Sequence, residues 1–295
     1  MRYNAGPANR APDARPDIDD AFYEAFLGPS MAFTCAYFPH EEAELEEAQQ
    51  AQFHLIGRKL RLKPYQTLLD IGCGLGSFVV YACKHFGVTA HGVTTSPRQA
   101  EYAQAWLKRE GLEDQAFIEC RDYRELVGEL QFDRVSALGV MEHLGLRNLA
   151  QFFTSSHRLL KDNGLMLTQG ISRDRRSAMD IGSDDLSRQI LQGMEPPSLT
   201  ATITQLEDNG FELQDVENLR RHYAQTCARW VAGLQDHRSQ CLQHVDEATY
   251  RSWLLNLGMS SVYFEEGALS FHQLLSSKRT NGSAPLPLTR EDIHG

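Results

Sequence analysis

The sequence predicts an α/β fold in which a doubly wound, mostly parallel sheet of seven strands carries helices on both faces. Short apolar runs alternate with amphipathic segments from residue 67 onwards, which is the pattern of βαβ units. A glycine-rich turn, Gly72 to Gly76, follows the first of these runs and precedes a helical period. Further helices are predicted before the first strand and, as an insertion, before the last.

Each predicted element follows from the spacing of its apolar residues and from the residues that bound it. Asp17 to Asp20 supply acceptors for the start of the first helix, and Gly28-Pro29 ends it. The predicted strands span residues 67–71, 88–93, 116–120, 132–138, 165–171, 211–216 and 268–275. The predicted helices span residues 21–27, 41–60, 77–86, 97–110, 147–160 and 199–207, with a longer helical stretch at 223–257.

The chain is predicted to form one domain, residues 17–279, between two disordered tails, 1–16 and 280–295. Both tails contain Pro and small polar residues and cannot bury enough apolar surface to offset the entropy lost on ordering. The domain divides into an N-terminal helical cap at 17–62, a core at 63–220, a second helical cap at 221–262 and the last strand at 263–279.

The composition excludes several functional classes. The 29 basic and 39 acidic residues give a net charge of −10, which argues against a nucleic-acid partner. No apolar run reaches the roughly 18 residues of a membrane span, and the N-terminus lacks the apolar stretch of a secretory signal. The six cysteines form no CxxC pair, so we expect reduced thiols, no metal site and a cytoplasmic location without stable membrane insertion.

The glycine turn leaves two ligand classes to distinguish. A dinucleotide site needs G-x-G-x-x-G and an acidic residue after the second strand. Here the third glycine, Gly76, comes one residue early, and residues 91–96 contain no acid. Both details argue against a nicotinamide cofactor and an oxidoreductase. A packing turn in a generic α/β fold remains the alternative.

Several motifs point to a narrower assignment. Asp70-Ile-Gly72-Cys-Gly74-Leu-Gly76 resembles the first motif of the class I, Rossmann-like S-adenosylmethionine-dependent methyltransferases. Over about residues 20–275 the chain resembles the cyclopropane fatty-acid and mycolic-acid cyclopropane synthases. The matching segments are LGPSMAFTCAYF at 27–38, LEEAQ at 45–49, Thr94-x-Ser96-x-x-Gln99, GVMEH at 139–143 and HYA at 222–224. The resemblance implies that 17–279 is a methyltransferase domain with its cofactor-binding core at 63–220 and its substrate cap at 221–262.

The same resemblance implies the cofactor site. Glycines of the turn face the methionine part of S-adenosylmethionine, while Thr94 and Gln99 bind the ribose, because a neutral amide can bind a hydroxyl where most class I enzymes use an acid. Asp122 and Tyr123 lie where the family contacts adenine; ordinary core packing is the alternative for Tyr123. The implied set is Phe33, Thr34, Asp70, Gly72, Gly74, Gly76, Thr94, Thr95, Gln99, Asp122, Tyr123 and Gly139.

The resemblance also implies the chemistry. In the family a methyl group adds to an alkene carbon, and a bicarbonate ion removes a proton from the resulting carbocation. Cys35, Glu142 and Tyr223 correspond to groups that hold this ion, and Gln169 stands where the family has a histidine. Asn256 likewise replaces a common tyrosine. We therefore expect an altered second half-reaction or substrate, with Glu142 able to act directly or to serve as a structural acid.

The acceptor is expected to be an apolar unsaturated small molecule or acyl chain. Its pocket is predicted to be lined by apolar side chains of both caps, each with core packing as the alternative: Phe22, Phe26, Met31, Phe33, Trp230, Trp253, Leu254 and Met259. The basic run at 173–176 is either a solvated loop or a clamp for an anionic acceptor group. A C- or N-methyltransferase of specialised metabolism and a non-catalytic cofactor-binding protein remain alternatives, and a homo-oligomer stays open.

Overall fold

The computed structural model describes residues 18–128, 130–173, 194–278 and 286–294. A seven-stranded sheet in the order β3-β2-β1-β4-β5-β7-β6 forms the centre. All pairs are parallel except those of β7, which runs antiparallel to both β5 and β6. The reversal of strand order at β1 places the carboxyl ends of β1, β2 and β4 around one crevice, where open α/β sheets bind ligands.

The observed elements agree in type with the predicted ones. The strands are β1 Thr67–Ile71, β2 Thr89–Thr94, β3 Ala116–Cys120, β4 Phe132–Leu138, β5 Leu160–Arg173, β6 Phe211–Asn218 and β7 Leu269–Lys278. The longer helices are α1 Asp20–Leu27, α2 Leu45–Lys59, α3 Ser77–Phe86, α4 Pro97–Arg109, α6 Leu146–Leu159, α7 Leu199–Asp208, α8 Arg220–Asp236 and α10 Glu247–Glu265. The short ones are α5 Met141–Leu144, α9 Arg238–Cys241, α11 Glu291–His294 and a 3₁₀ turn at Tyr123–Leu126.

Three elements differ most in extent from their predictions. α2 begins at Leu45 instead of residue 41. β5 has 14 residues rather than seven: it begins at Leu160, which pairs with Phe132 of β4, and ends at Arg173, which pairs with Leu269 of β7. The insertion before β7 is broken into α8, α9 and α10 instead of one stretch, and Asp246 caps the last of these helices through a bond from the Thr249 N–H.

The C-terminal tail was predicted to be disordered, but residues 286–294 lie against the domain. Ile293 is 2% exposed and Leu286 packs against the core beside α2 and α3. Arg290 forms an ion pair with Asp215 at 2.7 Å. Leu286 and Ile293 are apolar residues in a short polar segment, and this pattern was too weak to predict their burial. The predicted tail at 1–16 lies outside the described residues.

Three large apolar clusters divide the core of the described residues, and a small fourth one lies around Ala36 and Phe38. One lies between the sheet and α2, α3 and α4, and a second between the opposite face and α6 and α7. The third joins α1, α8 and α10 above the carboxyl ends of the strands, and it includes Phe22, Phe26 and Trp230. The two helical caps, which are separated by more than 150 residues in sequence, therefore form one roof over the crevice. Within the described ranges no helix is long and apolar enough for a bilayer span.

A buried ion cluster joins α2 to the edge strand β6. The Lys59 side chain is fully buried, and its Nζ lies 3.2 Å from the Asp215 carboxylate and also contacts Glu217. Asp215 in turn pairs with Arg290 of the C-terminal segment. A buried cation with two carboxylates leaves uncompensated charge when it is removed, so this cluster fixes the C-terminal end of α2.

Replacing Lys59 is expected to destabilise the fold. Lys59→Met removes the buried cation from between the two carboxylates, which leaves Glu217 without Lys59 and Asp215 with Arg290 alone. The free energy of unfolding should therefore fall by about 3 kcal/mol in urea denaturation. The control is Lys84→Met, which breaks an exposed pair with Glu110 and should cost at most about 1 kcal/mol. Equal losses in the two variants would contradict a special role for the buried cluster.

Candidate functional site

The glycine turn at the end of β1 contains three glycines with a left-handed backbone conformation, and each has a different environment. Gly72 has φ +70°, and a Cβ there would lie 2.6 Å from Val140 Cγ2. Gly76 has φ +87° and begins α3, where a Cβ would lie 2.9 Å from Ile118 Cδ1. Gly74 has φ +55°, and no atom lies within 4 Å of its Cβ position. Gly72 and Gly76 are thus required for packing, whereas Gly74 faces open space suited to a ligand.

Asp70 lies beneath this turn, and its carboxylate is buried rather than facing the open space. It is 2% exposed and accepts a 2.7 Å hydrogen bond from the Ser136 hydroxyl of β4. Burial raises its pKa to about 7, although the Ser136 bond opposes the shift. Asp70 therefore links β1 to β4 below the glycine turn and so helps to position that turn.

The end of β2 presents neutral polar groups. The Thr94 hydroxyl is buried and donates to Gln99 Oε1 at 2.7 Å, so the carboxamide N–H groups of Gln99 are oriented by this bond. Ser96 caps α4 by accepting from the Gln99 N–H. Thr95, between them, is exposed. The structure thus brings Thr94 and Gln99 together as predicted for a pair that binds hydroxyl groups.

Asp122 and Tyr123, which are predicted to contact adenine, both have protein partners in the structure. Both carboxylate oxygens of Asp122 accept hydrogen bonds from Arg124, through its backbone N–H and its guanidinium. Burial raises the pKa of Asp122, but the Arg124 bonds outweigh it and hold the pKa below its usual value. Tyr123 packs edge-on against Phe152, with ring centroids 5.7 Å apart, and burial raises its pKa to about 12. Adenine contact by these two residues stays a prediction.

The segment 27–38 closes the crevice and is fastened from α2. The Gln49 carboxamide donates to the carbonyl oxygens of Leu27 at 3.0 Å and Ala32 at 3.4 Å, and its oxygen accepts from the Ser30 hydroxyl at 2.7 Å. Gln49 is 1% exposed. One buried amide therefore provides hydrogen-bond partners for three polar groups of an irregular segment, whose backbone forms no regular hydrogen-bonding pattern.

The same segment is fastened from α8 on its other side. The Thr226 hydroxyl accepts from the Ala36 N–H at 3.0 Å, and His222 Nδ1 accepts from the Phe38 N–H at 3.0 Å. The Tyr37 ring stacks on His222 with centroids 4.6 Å apart. Burial lowers the pKa of His222, which favours the neutral ring needed for an accepting Nδ1. The segment 27–38 is thus held between two helices that are distant in sequence.

Phe33 and Thr34, both predicted to line the cofactor pocket, lie at the centre of this segment. The Phe33 ring is 37% exposed and stacks on Trp230, with centroids 5.0 Å apart. The Thr34 hydroxyl accepts from Gln169 Nε2 at 3.0 Å. Phe33 therefore forms part of the roof, while Thr34 connects the segment to β5.

Cys35 lies next to these residues and does not act as a thiolate. It is 1% exposed, and its Sγ donates to the Ala36 carbonyl at 3.2 Å. Burial raises the pKa of the Cys35 thiol far above its usual value. A neutral buried thiol contributes shape and weak hydrogen bonding rather than a nucleophile.

Glu142 begins the short helix α5 just beyond β4. It is 4% exposed, and a Cβ on Gly170 of β5 would lie 2.6 Å from its Oε2 atom. That oxygen is buried without a hydrogen-bond partner among the described residues. Burial raises the pKa of Glu142 to about 7, against hydrogen bonds from the backbone N–H groups of Glu142 and Ile171. This carboxyl is therefore able to gain and lose a proton near neutral pH.

Tyr223 lies on α8 within the aromatic roof. Its ring contacts Phe264 and Phe271, with centroids 4.7 Å apart in each case, and Trp230 at 6.0 Å. The residues predicted to line the acceptor pocket belong to this same roof. Phe22, Phe26, Met31 and Trp230 are buried in its cluster, and Trp253, Leu254 and Met259 pack against it half-buried. The first four fill the core, so the half-buried side chains and Phe33 are the better lining candidates.

Sequence reasoning missed the residues that hold the site together. Gln52, Gln273, Ser136 and Thr226 are buried polar side chains whose partners lie on other elements. Only Gln49 carried a signal, because it falls within the matched LEEAQ segment. Gly139, whose N–H donates to the Gln169 carbonyl, was predicted. The basic run at 173–176 lies outside the described residues beyond Arg173.

Comparison with known proteins agrees with this geometry. Residues 6–274 match the family model described as mycolic acid cyclopropane synthetase. A probable fatty acid methyltransferase of Mycobacterium tuberculosis is 37% identical over 92% of this chain, which spans 64% of that protein. A probable fatty acid methyltransferase of Pseudomonas putida is 34% identical over 94% of this chain and 72% of its own. The solved structure of the mycolic acid cyclopropane synthase CmaA1 with SAH and CTAB has a TM-score of 0.83 at 29% identity, covering 89% of this chain and 95% of that one.

The fold and the site define a class I S-adenosylmethionine-dependent methyltransferase, and S-adenosylmethionine is its methyl donor. The open face at Gly74 and the neutral Thr94–Gln99 pair fit this nucleoside. By the match over nearly its whole length, the chain belongs to the mycolic acid cyclopropane synthetase family.

A methyl group on Gly74 should impair binding rather than folding. Gly74→Ala introduces strain of about 1 kcal/mol at a positive φ, and it also places a Cβ in the ligand-facing space. We expect the Kd for S-adenosylhomocysteine, measured by calorimetry, to rise about tenfold or more.

Gly111→Ala is the matched control, because Gly111 has φ +66° and equally open surroundings after α4. It should lose similar stability and keep its affinity. A parallel loss of affinity in both variants would show that strain, not contact, weakens binding.

Removing the Thr226 hydroxyl should loosen the segment 27–38. Thr226→Val leaves the buried Ala36 N–H without an acceptor, so the free energy of unfolding is expected to fall by about 2 kcal/mol. Thr226→Ser keeps the hydroxyl and should lie within about 0.5 kcal/mol of the parent. Amide hydrogen exchange at residues 33–38 gives the local readout; unchanged protection in Thr226→Val would refute the role assigned to this bond.

Proposed function

We propose that this chain transfers a methyl group from S-adenosylmethionine to an alkene carbon of an apolar unsaturated acyl chain, in the cytoplasm. The observation that carries the proposal is the aromatic roof of Phe33, Tyr223 and Trp230 over a glycine turn with neutral polar partners. Membership of the cyclopropane synthetase family supports it, as do relatives named fatty acid methyltransferases. All six cysteines are free, which supports a reducing compartment.

The residues that would hold the methyl donor are those around the turn. Gly72 and Gly74 offer bare backbone, Thr94 and Gln99 offer a hydroxyl and an amide, and Phe33 closes the pocket from above. The donor supplies a methyl group on a sulfonium, which is transferred in line to a nucleophile. The chain's own contribution is to align the acceptor and to exclude water from the reaction.

The roof also suits the charge that develops on the acceptor. Addition of a methyl group to an alkene leaves a carbocation on the neighbouring carbon. The faces of Tyr223 and Phe33, the less buried rings of the roof, carry negative charge density and stabilise a nearby cation without donating a nucleophile that would trap it. Cys35, within the segment 27–38, is a neutral buried thiol and so does not compete for the cation.

A substrate survey tests the proposal. The purified chain is incubated with methyl-labelled S-adenosylmethionine and phospholipids that carry cis-monounsaturated acyl chains, and the acyl products are identified by mass spectrometry. We expect label in the acyl chain, as a cyclopropane or as a methyl or methylene branch. The saturated lipid is the control and should remain unlabelled, because it has no nucleophilic carbon.

Two outcomes would contradict the proposal. Label on a nitrogen atom, or on a compact ring-containing metabolite and not on any acyl chain, would assign the chain to specialised metabolism. Binding of the methyl donor without transfer to any unsaturated acceptor would indicate a non-catalytic binding protein.

A further inference from the structure

The side chain of Gln169 is bonded to three protein partners. Its Oε1 accepts from Gln52 Nε2 at 2.8 Å and from Gln273 Nε2 at 2.9 Å, and its Nε2 donates to the Thr34 hydroxyl. Gln169 is 0% exposed. This three-amide cluster joins α2, β5, β7 and the segment 27–38, so turning the Gln169 carboxamide towards another ligand would break three buried hydrogen bonds.

A bicarbonate ion fits this donor set poorly. An anion in a buried site needs donors that carry positive charge or are not otherwise engaged. Gln169 carries no charge and its carboxamide is bonded as described, while Cys35 directs its thiol to the Ala36 carbonyl. Glu142 would confront the anion with a second negative charge whenever both are ionised. The residues present therefore suit a site without this ion.

Glu142 lies where a proton acceptor is needed. Val140, two residues before it, approaches the Gly72 position of the glycine turn, and Gly170, which lies against its Oε2, directly follows Gln169. The absence of a side chain at Gly170 is what admits the carboxylate, because a Cβ there would overlap it. Oε2 is buried and has no partner in the described part of the chain. A buried oxygen without a donor costs free energy and is typical of groups that act on a ligand.

From these contacts we infer that Glu142 itself accepts the proton in the second half of the reaction, with Gln169 as a positioning residue and without bicarbonate. The inference rests on the proposed function, since it concerns the carbocation left by methyl addition to an alkene. The carboxylate oxygen takes a proton either from a carbon next to the cation, whose C–H electron pair then forms a C=C bond, or from the transferred methyl group, whose C–H electron pair forms the third C–C bond of a cyclopropane. Glu142 later releases the proton to solvent.

The rate should depend on pH in a definite direction. Burial raises the pKa of Glu142 to about 7, so its accepting form is depleted below that pH and kcat should rise through about pH 7 and then level off. Other titratable groups occur on the surrounding elements. These are Asp70, Cys35, Glu195, Tyr223 and His272.

Asp70 shares a raised pKa of about 7, but it is bonded to Ser136 beneath the turn. Its titration should therefore be seen in donor affinity rather than in kcat at saturating donor. Infrared spectroscopy of the ligand-free protein provides a readout that needs no turnover. Asp70 and Glu142 should both contribute a protonated-carboxyl band that disappears through about pH 7. The part of this band that is lost in Glu142→Gln, while the Asp70 part remains, would identify the group.

Bicarbonate dependence is the decisive experiment. Turnover in carbon dioxide-free buffer should change less than about twofold when bicarbonate is added, and ¹³C-bicarbonate should show no line broadening with the ligand-free protein. Stimulation of about tenfold that saturates with bicarbonate, or specific broadening, would overturn the inference. The broadening measurement is independent of whether the proposed acceptor is correct.

A matched pair of variants completes the test. Glu142→Gln should lower kcat by about a hundredfold or more, with the Kd for S-adenosylhomocysteine unchanged and no rescue by bicarbonate. Glu195→Gln removes a neighbouring exposed carboxylate whose backbone, not its side chain, contacts Glu142, and it should keep full activity. A Glu142→Gln variant with undiminished turnover would refute the role of Glu142, whereas failure of all acceptors would refute the proposed function and leave the bicarbonate result standing.

Discussion

The fastening of one irregular segment between two helices is the constraint on which the site depends. Residues 28–38 of this segment have no strand or helix to satisfy their backbone, yet they lie over the crevice. Gln49 of α2 and Thr226 and His222 of α8 supply the missing donors and acceptors. This is why the two helical caps form a single roof, and why Phe33 meets Trp230 although nearly two hundred residues separate them. Loss of these bonds would separate the cofactor pocket from the acceptor pocket.

Burial makes ionisation of the acidic groups of the crevice unfavourable for the folded state. Asp70 and Glu142 both have pKa values raised to about 7, and in both cases the dominant cause is removal from water. Such groups weaken the fold as pH rises from about 4 to 7, because the folded state holds the proton more tightly than the unfolded chain. Asp70 recovers part of this cost through Ser136. Glu142 has one oxygen without a hydrogen-bond partner in the described part of the chain, so its cost is not offset in this way.

Much of the architecture could be predicted from the sequence, because the spacing of apolar residues and the positions of glycines are local signals. The seven strands, the glycine turn and the Thr94–Gln99 pair were all visible in this way. Side-chain partners on distant elements could not be predicted: nothing local indicated that Ser136 would bind Asp70, or that Gln169 would join Gln52 and Gln273. The packing of residues 286–294 against the domain was not predicted for the same reason. Ile293 is one apolar residue, and its burial depends on a surface that other parts of the chain form.

The neutral character of the Thr94–Gln99 pair has a consequence for how the enzyme meets its methyl donor. Most class I methyltransferases bring a carboxylate to the ribose, and the strength of such a contact varies with protonation and with the surrounding electrolyte. A hydroxyl and an amide neither titrate nor attract counterions. With the ribose bound by this pair as proposed, recognition at this end of the nucleoside would be governed by shape and by the direction of hydrogen bonds. It would then tolerate acidification and high ionic strength that loosen a charged counterpart.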